Sequence, residues 1–78
     1  MRRYTVLLFP EEGSYSALIP VLDLATQGDT VEHALAMAKE AIELRLSSLL
    51  KNDEFVPEEE TAPIVAAVDI EMTVEAVV

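Results

Sequence analysis

An α+β fold of order β-β-β-α-β is predicted by three observations. The first part of the chain alternates in short apolar runs broken by Pro10, Gly13 and Pro20. From Val31 the apolar residues recur at three- and four-residue steps, the spacing of a helix with one buried face. Beyond Pro63 the alternation returns.

The first strand is expected over Arg3 to Phe9, with Tyr4, Val6 and Leu8 on one face and Thr5, Leu7 and Phe9 on the other. Both faces are largely apolar, the mark of a strand covered on both sides. Pro10 to Gly13 reads as a turn, because proline presets φ early and glycine allows a positive φ late. Ser14 to Ile19 follows as the second strand of a hairpin, placing Tyr15, Ala17 and Ile19 opposite Ser14, Ser16 and Leu18. Pro20 has no amide to give a ladder and ends it. A shorter third strand is expected over Leu22 to Gln27.

Thr26 to Ala34 forms the corner between sheet and helix. Gly28 is expected there for its freedom to take a positive φ. Thr30 reads as the N-cap, with Asp29 as the alternative through its spacing to Glu32, and both acids favour the positive end of the helix dipole. The helix should run from Val31 to about Leu50, burying Val31, Ala34, Leu35, Ala38, Ile42, Leu46 and Leu49. Glu32, Glu40, Glu43 and Ser47 fall on the far side, where Lys39 and Glu43 can pair one turn apart. Met37 and Leu44 are read as lying nearly opposite the apolar stripe, where they mark a contact with another subunit. Arg45 is placed toward the stripe with its head reaching water.

Lys51 to Pro63 is a polar, acid-rich connector, which Phe55 and Val56 are expected to pin to the core. A fourth strand should start near Ile64. Val68, Ile70, Met72 and Val74 line one of its faces, and Asp69, Glu71 and Glu75 make the other largely acidic. Counting directions gives a sheet order 3-2-1-4, with the helix on one face and the other open. That open face points to self-association, with Met37, Leu44, Val68, Ile70 and Met72 as the expected contacts.

All 78 residues read as one domain, with too little chain for more than a thin core. Oligomerisation is a common supplement to such a core. There is no cysteine, so disulfides, thiolate chemistry and cysteine-bound zinc are excluded. No apolar run reaches membrane-spanning length, and a cytoplasmic protein is the expectation. Fifteen acids against five bases give a net charge of −10. A polyanion such as DNA or RNA is therefore an unexpected partner, and so is an anionic membrane surface. A basic protein is the partner this charge suits. Its contacts are expected along Asp53, Glu54, Phe55, Glu58, Glu59 and Glu60 and on the acidic side of the last strand, Asp69, Glu71 and Glu75.

Enzyme chemistry has no foothold. His33 is the sole histidine and sits in the first helical turn, and two glycines cannot build a phosphate-cradling loop. The clustered carboxylates fall in a solvated connector rather than an apolar cleft. No catalytic residue, metal or cofactor is assigned.

Tyr4-Thr5-Val6, Gly13-Ser14-Tyr15, Ile19-Pro20, Thr26-Gln27-Gly28-Asp29-Thr30 and Ala34 together resemble the HicB family of antitoxins. The likeness covers roughly residues 3 to 50 well and the fourth strand loosely. It implies a partial ribonuclease-H-like sheet without catalytic carboxylates. It also implies a function: binding a small basic HicA-like messenger-RNA-cleaving toxin and covering its active surface. Family members usually carry Pro-Gly-Cys where this chain has Asp23-Leu24-Ala25, and often a second glutamate where it has His33. Many append a DNA-binding domain; none is expected within these residues. The alternative reading is a stand-alone oligomeric module that binds a small ligand or another protein.

Overall fold

The computed structural model describes residues 2–73. It is an α+β fold: a three-stranded antiparallel sheet followed by one helix. β1 spans Leu7–Glu11, β2 Ser14–Ile19 and β3 Leu24–Gly28, in the order β1-β2-β3. α1 spans Val31–Lys51.

β1 is shifted four residues along from its expected start. Leu7 pairs with Leu18, so the same register would bring Thr5 opposite Pro20, which cannot donate and already turns away. Residues 3–6 therefore have no ladder partner. At the far end β1 continues through Pro10 and Glu11, because an edge strand tolerates a missing amide on its open side. The turn shrinks to Glu12 and Gly13, and Gly13 holds the positive φ of 78° that closes it. β2 has the expected bounds. Pro20–Leu22 is a 3-10 turn closed by Asp23, whose left-handed φ of 53° delays β3 to Leu24.

Ala17, Ile19, Leu22, Ala34 and Ala38 form the buried core, with Tyr4, Val6, Leu8, Tyr15, Leu24, Ile42 and Leu46 packed around it. Among the described residues Ile19 is the one large side chain fully enclosed, and its burial contributes about 1.5–3 kcal/mol. The small alanines let α1 lie close against β3 and β2. The opposite sheet face is uncovered, leaving Phe9 and Leu18 exposed.

Three expectations for the helix change. Met37 does not lie opposite the stripe; it is half-buried beside the Ala34–Ala38 face, while Leu44 is 73% exposed as expected. Val31 and Leu35, placed on the buried stripe, are exposed. Lys39 and Glu43 do not pair within ion-pair distance: the ion pair among the described residues is Arg2–Glu58.

The expected fourth strand does not pair. Residues 62–73 carry no sheet assignment and are exposed throughout, while Val74 and Glu75 lie outside the described residues. Alternation states which face a segment buries once paired; it does not supply an edge within reach. The sheet accordingly shows the 3-2-1 part of the expected order.

Candidate functional site

The acidic connector begins at a well-made helix end. Asp53 takes a left-handed φ of 56°, its amide donates to the Leu50 carbonyl at 3.2 Å, and the Glu54 amide donates to Leu49 at 2.9 Å. This pair of bonds is the Schellman arrangement, with Asp53 in the position glycine usually fills. Asp53 thus serves the helix terminus, whatever its carboxylate meets. Phe55 does not pin the connector to the core: it is 83% exposed, and half-buried Val56 and Pro57 take that place.

From Pro57 the connector is fastened to the head of the chain. The Tyr4 hydroxyl donates to the Pro57 carbonyl at 2.6 Å, and Arg2 donates to the same oxygen at 3.4 Å. Arg2 also pairs with Glu58 at 3.3 Å, both side chains remaining solvent-accessible. The Thr5 amide donates to Glu59 Oε1 at 2.8 Å while its hydroxyl donates to Glu59 Oε2. The Thr5 hydroxyl bond, with the amide bond behind it, holds the Glu59 carboxyl below the ordinary glutamate value. An open cleft of about 250 Å³ lies over this junction, lined by Arg2, Arg3, Tyr4, Glu58, Glu59 and Glu60.

The expected partner-binding residues therefore divide. Glu58 and Glu59 are engaged within the chain. Glu54, Phe55, Glu60, Asp69 and Glu71 are exposed, and Glu75 lies outside the described residues. Among the expected subunit contacts, Leu44, Val68, Ile70 and Met72 are exposed and Met37 is not. Sequence reasoning missed the roles of Arg2, Tyr4 and Thr5, because a tie across more than fifty residues leaves no periodic trace.

The corner carries structural chemistry. Thr30 is the N-cap, its hydroxyl accepting from the His33 amide at 3.0 Å. The His33 ring accepts from the Asp29 amide through Nδ1 at 3.0 Å, reaching one residue beyond the N-cap amide that a capping-box glutamate would bond. Gly28 does not need a positive φ. A Cβ there would stand 2.3 Å from the Ala34 nitrogen, so glycine is required by close approach of strand and helix backbones.

Among the described residues no cluster of three His, Asp or Glu side chains could hold a metal ion. No helix among them is long and apolar enough to cross a membrane. No family model matches the chain, and no solved structure matches it. The UPF0150 protein ssr1765 of Synechocystis sp. is 46% identical over 59 residues, covering 73% of this chain and 75% of that protein. At that identity and coverage, the chain belongs to the UPF0150 family.

Proposed function

We propose that this chain is a non-enzymatic, cytoplasmic binding protein that docks a basic protein partner through its exposed acidic connector and tail. The observation that carries this reading is the set Glu54, Glu60, Asp69 and Glu71, solvent-facing in a chain of net charge −10, with exposed Phe55 beside Glu54 as an apolar anchor. The HicB-like pattern of the first fifty residues makes a small HicA-like RNA-cleaving toxin the partner class to test first. A protein that grips RNA presents lysines and arginines, and carboxylates held on a neighbour can occupy that surface in place of phosphate. Opposite charges raise the encounter rate and set orientation, while apolar contact sustains the complex.

The test reverses Glu54, Glu60 and Asp69 to lysine, leaving Glu58 and Glu59 intact because they tie the connector to Arg2 and Thr5. Association with a basic partner recovered from the source cell should slow by about tenfold at low salt and lose most of its salt dependence. Recovery of no basic partner, or an association rate indifferent to the reversal, would leave the module that binds another ligand as the better reading.

A further inference from the structure

The segment 64–73 has the pattern of a strand and pairs with no strand among the described residues. Ile64, Val65, Val68, Ile70 and Met72 are between 74% and 92% exposed. The chain's radius of gyration is 16.6 Å, against about 11–12 Å expected for a compact domain of this length. The molecule also carries an unused acceptor. Among the described residues β1 pairs only with β2, which leaves its outer edge open, and Phe9 lies exposed on the uncovered face beside that edge. An open edge with apolar neighbours is a template for another strand.

The chain's own tail cannot fill that edge with its apolar residues. Glu59 is fixed beside Thr5 by two hydrogen bonds. Run parallel from that point, the connector would set Thr61 to Val65 beside Leu7 to Glu11, with Pro63 in the middle lacking an amide. Val68, Ile70 and Met72 would then fall past the end of β1. Run antiparallel, the tail would leave by way of the N-terminus. Either way Val68, Ile70 and Met72 lie beyond the chain's own edge.

We propose that residues 64–73 are an exchange strand, each copy's tail completing the sheet of a second copy along the outer edge of β1. Donor and acceptor occur once each on every chain, so reciprocal exchange about a two-fold axis closes and leaves neither unpaired. In this arrangement Val68, Ile70 and Met72 share the uncovered face with Phe9 and Leu18, and Asp69 and Glu71 point to the opposite face of the added strand.

The experiment needs no other protein, so its outcome is independent of whether a basic partner exists. Sedimentation of the full chain at tens of micromolar should give a dimer, and Val68→Asp with Ile70→Asp should weaken it at least tenfold while circular dichroism stays native. The absence of cysteine allows a second arm that does not depend on those variants folding. One tagged copy carries Phe9→Cys and a differently tagged copy carries Val68→Cys or Ile70→Cys. Mild oxidation should join the two tags, and a chain bearing both cysteines should form a covalent dimer. A folded wild-type monomer at that concentration overturns the proposal. So does closure of the doubly substituted chain on itself, which would make the tail an internal fourth strand, or cross-linking of tail only to tail.

Discussion

Gly28 shows how one residue can sit where the pattern expects it for a different physical reason. Its place between β3 and α1 follows from the sequence; the strand–helix contact that demands it does not, because local rules know nothing of how close two backbones come. With a Cβ 2.3 Å from the Ala34 nitrogen and 2.6 Å from its Cα, neither neighbour is a side chain that can swing aside. Gly28→Ala should therefore cost about 1–3 kcal/mol by forcing α1 off β3. A urea titration reads this directly, and a loss below about half a kcal/mol would show that the helix start shifts freely. Asp23 and Asp53 make the converse point. Both hold left-handed backbone angles that glycine would adopt more readily, and Asp23 stands in the segment that departs from the HicB-like pattern.

At the scale of elements, the hairpin, the third strand and the helix were legible because each carries its own period and its own punctuation. α1 also carries its own start signal. Thr30 accepts from the His33 amide, and Thr30→Ala should cost about 1 kcal/mol with the fold preserved. Unchanged stability would mean that the His33 ring bond to Asp29 secures the first turn alone. What failed at this scale failed for lack of a partner. The start of β1 is not local, because its ladder length depends on where Pro20 turns β2 away. The place of Met37 depends on the width of the stripe, which in spanning buried Ala34 and Ala38 and half-buried Ala41 also reaches position 37. The alternation of the tail gives a strand pattern but is silent about the edge it would pair with. The acidic run was likewise visible as composition, but not its division into carboxylates bonded within the chain and carboxylates left to solvent.

At the scale of the whole molecule, the head of the chain is tied to the acidic connector. Tyr4 and Thr5 fasten Pro57 and Glu59, and beyond this junction residues 62–73 stay exposed and unpaired with β1. The Thr5 bonds favour the charged carboxylate, so the folded pKa of Glu59 lies below that of the unfolded chain. For a depressed carboxylate the contribution to stability is complete above the unfolded value and is lost as pH falls through the folded one. The junction should thus hold through neutral and mildly acid solution and release below the ordinary carboxylate range. Followed by nuclear magnetic resonance, the Thr5 amide should move with a midpoint below the ordinary glutamate value, while α1 amides stay in place. Glu59→Gln should abolish that transition and leave the Tyr4–Pro57 bond to hold the connector. A Thr5 amide that moves at the ordinary glutamate value, or not at all, would mean that Glu59 does not grip the head of the chain in solution. The tail would then be free to reach its own sheet edge.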